Sequence, residues 1–320
     1  MMIQHTTKLA LASLVTLSLL SACGGGEDNA GTTEDTTHTH DMALSFMAHV
    51  GDDMFSCDTS YTLGTGQSSV EFTDFKFYIS EINLIDADGN LVPAQIVDEE
   101  PWQVSNVAMI DFEDGTGSCS NGTAATRTAV HIKAPHGDYK GVEATIGIPF
   151  ELNHEDVTAL PSPLNLPSMF WSWQGGRKFL RLDGKVDGAA GLRIHLGSTG
   201  CMGELGDISS CTKPNKAQFR LEGNDPTQHV IKVDIAPLFT DLDLTPNEDK
   251  SVVCMSSPDT ESCGPIFDAM GVSHELGTYK PDAQLMMTLT DTTSNVDIDS
   301  LSNSGADTST GDADSEHAHH

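Results

Sequence analysis

Two tryptophans, a histidine and two cysteines follow one another in the second half of this sequence, and they are its side chains best suited to chemistry. Trp171 and Trp173 stand one residue apart, so an extended backbone would place both indoles on one face. His195 follows in a second strand-like run, before Cys201 and Cys211. Imidazole binds copper and zinc, and sulfur suits soft metals. The alternative is a core hairpin filled with aromatic rings, a common role of tryptophan.

Three other histidines extend the set of candidate copper ligands. His154 opens a proline-rich turn before the tryptophans, whereas His49 and His131 lie in strand-like runs opposite the main apolar residues. A copper site needs two or three converging imidazoles, supplemented by soft or carbonyl ligands. Met169 and Met202 flank the segment, although methionine usually fills core gaps. Taken alone, each histidine is better explained as a surface residue.

Motifs of the common enzyme classes are missing from the sequence. It contains no GxSxG, no HExxH, no P-loop and no GxGxxG after a strand. Its 47 acidic residues are too many for a catalytic carboxylate pair to be chosen. These absences leave no catalytic residue to name, and the function expected of this chain is binding and not catalysis.

The first residues resemble the export signal of a bacterial lipoprotein. Lys8 precedes an apolar run, Leu9 to Leu20, that is too short to span a membrane. Small residues before Cys23 resemble a lipobox, which implies removal of residues 1–22 and lipidation of Cys23. Gly24 fits anchoring to the outer membrane, in the periplasm or at the cell surface. The alternative is an ordinary signal peptide cut elsewhere.

Two low-complexity segments flank the predicted domain. Residues 23–41 are acidic, contain His38 and His40, and are predicted to form a flexible tether. Residues 291–320 form an acidic tail that ends in three histidines, either simply solvated or weakly metal-binding. A single domain is expected over residues 42–290.

The net charge of −31 limits the possible partners. Such a surface repels nucleic acids and anionic lipid headgroups, and it attracts cations. Nucleic-acid binding is therefore excluded.

Six cysteines remain after Cys23 is assigned to lipid, and an even number in an exported chain indicates disulfides. Fifteen pairings are formally possible. Proximity favours Cys201–Cys211 and Cys254–Cys263, which leaves Cys57–Cys119 as a long-range link.

Alternating apolar residues and frequent turns predict an all-β fold, an antiparallel sandwich or barrel-like single domain with long disulfide-stapled loops. A phase change at Glu81 suggests a bulge. Residues 86–90 close a hairpin and only superficially resemble a calcium loop. Short helices are expected at 155–160, capped by Asn153, and at 265–270. Strands are predicted at 43–50, 75–86, 106–112, 127–133, 141–148, 179–182, 192–196, 217–222, 229–235 and 285–290.

Together these segments resemble the MbnP-like copper-binding proteins, also described as the four-Cys partner of a "metallo-mystery pair". The resemblance covers residues 42 to 290. One departure is Arg177, where the family pattern has an aromatic residue, and this affects the expected local packing. The matching motifs are Phe75-Lys-Phe-Tyr-Ile-Ser-Glu-Ile, Asn153-His154, Pro163-Leu-Asn, Met169-Phe-Trp-Ser-Trp-Gln-Gly-Gly-Arg-Lys-Phe, His195-Leu-Gly-Ser-Thr-Gly-Cys201 and the later Cys211, Cys254 and Cys263.

This resemblance implies a specific function. Family members are exported β-rich proteins encoded beside a di-haem, cytochrome c peroxidase-like (MbnH-type) partner, which oxidises a tryptophan to kynurenine that helps bind copper. Carried over by motif, Trp171 or Trp173 would be modified, with His154 and His195 as ligands. Indole lacks a lone pair suited to a metal, whereas kynurenine offers an aryl amine and a carbonyl.

Three functions follow, in decreasing order of support. The first is a lipid-anchored copper-binding protein for acquisition, storage or delivery. The second is a structural or adhesive surface lipoprotein whose acidic loops hold calcium. The third is a secreted hydrolase, for which no residues can be named.

Overall fold

The computed structural model describes residues 38–188, 190–204, 206–245, 252–280 and 283–293. The predicted signal peptide, Cys23, most of the tether and most of the tail lie outside these residues. None of the described helices is long and apolar enough to cross a membrane. The α-helices are α1 (Phe150–Asn153) and α2 (Cys263–Ala269), and 3₁₀ turns occur at Gly117–Cys119, Pro167–Met169 and Ala236–Phe239.

Strands make up most of the regular structure in the described ranges. They are β1 (Thr39–Val50), β2 (Asp53–Met54), β3 (Ser60–Leu63), β4 (Ser68–Asp86), β5 (Leu91–Pro93), β6 (Gln95–Ile96), β7 (Gln103–Val104), β8 (Val107–Asp111), β9 (Ala129–Pro135), β10 (Tyr139–Ile146), β11 (Phe170–Ser172), β12 (Gly176–Arg177), β13 (Leu180–Val186), β14 (Ala190–Leu196), β15 (Thr199–Glu204), β16 (Asp207–Lys213), β17 (Ala217–Glu222), β18 (His229–Asp234), β19 (Val252–Cys254) and β20 (Met287–Thr293).

Two large sheets organise these strands. The first has the order β20-β18-β1-β9-β6, with β2 beside β1. The second has the order β17-β10-β4-β13-β14-β19, and β3, β5 and β8 also pair with β4. Two hairpins, β11–β12 and β15–β16, stand outside both sheets. The all-β, sandwich-like architecture expected from the sequence is present.

The core lies between the inward faces of the two sheets. Leu44 and Phe46 of β1 alternate with residues of the opposite face, and the Phe46 ring centroid lies 6.2 Å from that of Phe77 on β4. Burial of such large apolar side chains is the main force that stabilises a sandwich. β4 is 19 residues long and supplies buried side chains to most of this core.

The bulge expected at Glu81 is present. Glu81 has φ of +55°, and the β4–β10 register shifts beside it. The residue inserted there lets β4 change the face that its apolar residues occupy. The hairpin after β4 also forms, and the Asp86 carboxylate accepts hydrogen bonds from Asp88 and Asn90 of its own turn.

Three expectations about the fold are wrong. The β1–β18 and β14–β19 pairs are parallel, so the sheets are not purely antiparallel. No helix forms at 155–160, and Asn153 is the last residue of α1 and not a cap. β1 also begins at Thr39, inside the predicted tether, because it pairs with β9 from its first residue. The second expected helix is present as α2.

Three disulfides link the loops to this framework. Cys57–Cys119, Cys201–Cys211 and Cys254–Cys263 are all formed, which is the pairing that proximity favours. Cys201 and Cys211 face each other directly across the β15–β16 hairpin. Both local disulfides therefore brace segments that flank β14, the strand of His195.

Candidate metal centre

The tryptophan segment forms a tight hairpin between β11 and β12, with its turn at 173–175. β11 ends at Ser172, so Trp173 lies in the turn and is 43% exposed. Trp171 lies in the strand and is partly buried. The expectation that both indoles share one strand face is wrong, because the chain turns before Trp173.

Trp171 packs against His195. Their ring centroids are 6.4 Å apart, with the planes at 48°. The six-membered ring of the indole lies over Gly197, where a Cβ atom would come within 2.5 Å of Trp171 Cζ3. Only glycine allows this approach. The Trp171 indole N–H is buried and has no hydrogen-bond partner, an uncommon and costly state for a polar atom.

His195 is held by a carboxylate on the neighbouring strand. Its Nε2 lies 2.7 Å from Asp183 Oδ1, and the second oxygen of Asp183 accepts hydrogen bonds from Arg181. Burial alone would raise the pKa of Asp183, but the bonds from His195 and Arg181 outweigh it and lower that pKa. The ionised carboxylate only accepts hydrogen bonds, so the proton of His195 resides on Nε2.

The other nitrogen of His195 is left with its lone pair. Nδ1 is buried and has no hydrogen-bond partner. Burial lowers the pKa of His195, although Asp183 pulls the pKa the other way. A neutral imidazole oriented by a carboxylate is the usual arrangement of a histidine metal ligand.

The bonds to His195 continue into a buried ionic network. Arg181 also contacts Asp74 at 3.0 Å, and Asp74 lies 3.4 Å from Lys76. Lys76 in turn lies 3.1 Å from Asp111 and 3.3 Å from Glu113. Desolvation raises the pKa of Asp111 to about 7, although Lys76 opposes this rise. The network fixes β13 and, through it, the position of Asp183.

His154 approaches the same hairpin from the end of α1. Its Nε2 lies 3.2 Å from the Asn153 amide and 3.4 Å from Cys211 Sγ. Burial lowers the pKa of His154, and the nearby Trp173 backbone opposes that fall. Nδ1 is buried and makes no hydrogen bond of normal geometry. One hairpin therefore contacts both histidines, and we call His154, Trp171, Trp173 and His195 the tryptophan centre.

Arg177, the departure from the family pattern, fixes the segment that carries His154. Its side chain is completely buried and donates to the carbonyl of Leu164 and to three carbonyls within 152–155. Its backbone N–H donates to Asn153 Oδ1. These bonds occupy the carbonyls at the end of α1 and just after it, where the chain leaves the helix.

The two sulfurs beside His154 do not act as ligands in this form of the protein. His154, Cys201 and Cys211 place one potential ligand atom each within 4.8 Å of one another. Both sulfurs are, however, joined in a disulfide, and only the thiolate is a strong metal ligand. Of the three groups, the imidazole is therefore the one that could ligate a metal, and the disulfide packs beside it.

His49 and His131 lie in the first sheet. His131 pairs with Ala43 on β1, six residues from His49, so these histidines are roughly 20 Å apart along the sheet. His131 Nδ1 lies 2.6 Å from Glu99, whereas neither nitrogen of His49 has a hydrogen-bond partner. Among the described residues, neither forms a ring contact or hydrogen bond with the tryptophan hairpin.

Two residues that support the tryptophan centre, Asp183 and Arg177, were given no role in the site from the sequence. Asp183 could have been found from the predicted hairpin, because an acid two residues after Arg181 lies close to His195 across it. The sequence indicated nothing about Arg177 except that the family pattern has an aromatic residue at its position.

The fold and this centre define a class of protein: a disulfide-bonded β-sandwich that presents two histidines to a tryptophan hairpin. The sequence profile of MbnP matches residues 39–256, and the chain belongs to the MbnP family. MbnP from Methylosinus trichosporium has a similar structure, with a TM-score of 0.69 and 24% identity over 79% of this chain and 98% of that one. No curated protein shows significant sequence similarity.

Proposed function

We propose that the protein binds copper at the tryptophan centre and serves copper acquisition, storage or delivery without being an enzyme. The observation that carries the proposal is the contact of Trp171 with His195, whose Nδ1 is buried and unpartnered. Membership of the MbnP family supports a metal-related role.

The residues present fit a copper ion. Burial lowers the pKa of both His154 and His195 and so favours the neutral imidazole, which is the form that coordinates metal. Imidazole is a good ligand for copper, and the hydrogen bond to Asp183 leaves Nδ1 of His195 as its ligand atom. Copper would be the cargo, and this chain would provide a pre-oriented, partly buried site for it.

Oxidation of tryptophan would complete the donor set. An intact indole offers only an N–H donor, whereas kynurenine has an aryl amine and a carbonyl. We propose that a di-haem peroxidase-like partner performs this oxidation. Trp171 is the better candidate for the metal-binding product because it contacts His195, while Trp173 is the more exposed to a partner.

Export and anchoring belong to the same proposal. The three disulfides fit an oxidising compartment outside the cytoplasm. The lipobox-like sequence before Cys23 supports lipid attachment and an outer-membrane location.

Co-production with the proposed di-haem peroxidase-like partner tests this function. We expect one bound copper per chain and a peptide covering 169–177 that carries the mass change of tryptophan converted to kynurenine. Mass spectrometry of fragments identifies which tryptophan changed, and Trp171→Phe and Trp173→Phe are the paired controls. An unmodified peptide together with no copper uptake would refute the proposal.

A further inference from the structure

A second group of imidazoles lies at the start of β1, apart from the tryptophan centre. His40 on β1 and His136, just after β9, have ring centroids 5.0 Å apart, with the rings edge to face. Both side chains are exposed. His38 lies two residues before His40 and is exposed as well.

Strand register places these three histidines on one face. Thr39 pairs with Pro135 and His40 with Ala134, so continuing the register sets residue 38 opposite residue 136. Opposed residues of antiparallel strands share a face, as do residues two apart. His40 and Ala134 belong to the face that carries the core residues Leu44 and Ile132. The imidazoles thus continue that inward face beyond its buried part.

The geometry points to a divalent metal ion. We propose that His40 and His136, with His38 as a third ligand, bind a transition-metal ion such as Zn²⁺, Ni²⁺ or Cu²⁺. With metal–nitrogen distances of about 2.1 Å and a tetrahedral angle, two imidazole centroids on one ion lie about 5 Å apart. The observed 5.0 Å matches that spacing. Imidazole is the ligand that these ions share.

Two features hold the ligands near this spacing. β9 ends at Pro135, whose carbonyl accepts a hydrogen bond from Tyr139, and this fixes the chain where His136 begins. The ladder of β1 with β9 fixes His40 from the other side. A net charge of −31 on the chain raises the local concentration of cations. We call His38, His40 and His136 the N-terminal histidine cluster.

Zn²⁺ titration of the full-length chain by calorimetry tests the cluster. We expect one Zn²⁺ site whose affinity falls at least about tenfold in His40→Ala and in His136→Ala, because loss of even an outer-shell partner costs that much. His38→Ala should reduce affinity less. His229→Ala is the matched control: Nδ1 of this strand histidine hydrogen-bonds to the Asp225 carbonyl, and its loss should leave Zn²⁺ affinity unchanged.

Two further variants separate this site from others. The site should persist in His154→Ala/His195→Ala, so failure of the copper proposal would not affect it. It should also persist when the tail residues His317, His319 and His320 are replaced by alanine. In NMR spectra, substoichiometric Zn²⁺ should shift the ring signals of His40 and His136 together. Unchanged Zn²⁺ affinity in both His40→Ala and His136→Ala, with both proteins folded, would overturn the proposal.

Discussion

The tryptophan centre and the N-terminal histidine cluster place imidazoles in two different ways. In the centre, His195 is 5% exposed, one nitrogen is fixed by Asp183 and the other has no partner. In the cluster, the imidazoles are exposed, and the pairing of β1 with β9 brings them together. Burial fixes the orientation and protonation of an imidazole but lowers the stability of the fold. Exposed imidazoles, as in the cluster, lower stability little and can change orientation. Metal binding at the centre should therefore be selective for one metal and sensitive to substitutions around it. Metal binding at the cluster should be neither.

The largest effect is expected from Arg177→Met. The substitution leaves several buried carbonyls without donors, at about 1–3 kcal/mol for an unsatisfied buried group, so we expect a loss of about 3 kcal/mol or more in unfolding free energy. Urea denaturation measures it. Arg177→Lys retains charge but not the forked donor geometry, so it should rescue the loss only in part. An unfolding free energy equal to that of the wild type in Arg177→Met would show that the bonds from Arg177 to the carbonyls within 152–155 do not stabilise the protein.

Gly197→Ala should displace the Trp171 indole. The added methyl group would lie 2.5 Å from Cζ3, and overpacking of this kind costs about 1–3 kcal/mol. Tryptophan fluorescence should change and copper affinity should fall, with no change in Zn²⁺ binding at the histidine cluster. Gly264→Ala is a control for the loss of glycine, because its backbone is not in the left-handed region and the nearest atom, His274 Nδ1, lies 4.0 Å from its Cβ position. Unaltered fluorescence and copper affinity in Gly197→Ala would contradict the described packing.

Asp183→Asn sharpens the comparison by removing the carboxylate that orients His195, and it also weakens the bonds from Arg181. We expect copper affinity to fall about 10–100-fold, as for other outer-shell partners of a metal-binding histidine. ¹⁵N NMR of the metal-free protein should show His195 leaving the Nε2–H tautomer, a change that a purely structural role would not produce. A single tautomer retained with unchanged copper affinity would rule out positioning by Asp183.

The ionic network should appear as a dependence of stability on pH. The pKa of Asp111 is raised to about 7 in the folded protein, so the folded state holds this proton while the unfolded state releases it at lower pH. The contribution of Asp111 to the unfolding free energy is complete below the pKa that Asp111 has in the unfolded chain. That contribution is lost as pH rises to about 7. Asp111→Asn should flatten that decline by up to about 1.4 kcal/mol per pH unit. Parallel profiles for both proteins would contradict the assignment.

Local patterns predicted much of this fold, while long-range contacts determined the rest. Alternation located β4 and the bulge at Glu81, and short spacings identified two disulfides. The helix expected at 155–160 is absent, and the carbonyl of Glu155 there accepts a hydrogen bond from Arg177, a contact that a local sequence pattern does not reveal. The proximity of His40 to His136 likewise depends on the pairing of β1 with β9, strands that are distant in sequence.

The candidate site was predicted in its residue types more than in its geometry. The tryptophan and histidine motifs named His195 and Trp171, which the structure brings into contact. The ring contact and the partner Asp183 required the register of β13 and β14. His49 and His131 also lie in strands, but in the other sheet. Their sequence spacing alone did not distinguish them from His195.

A copper competition titration tests the central claim most directly. Wild type, His195→Ala and His40→Ala, each co-produced with the oxidase, would compete for Cu⁺ with a chelator of known affinity. The tryptophan centre predicts that His195→Ala loses tight copper binding while His40→Ala retains it. Tight binding that survives in His195→Ala, in a folded protein with the tryptophan peptide modified as in wild type, would contradict the account.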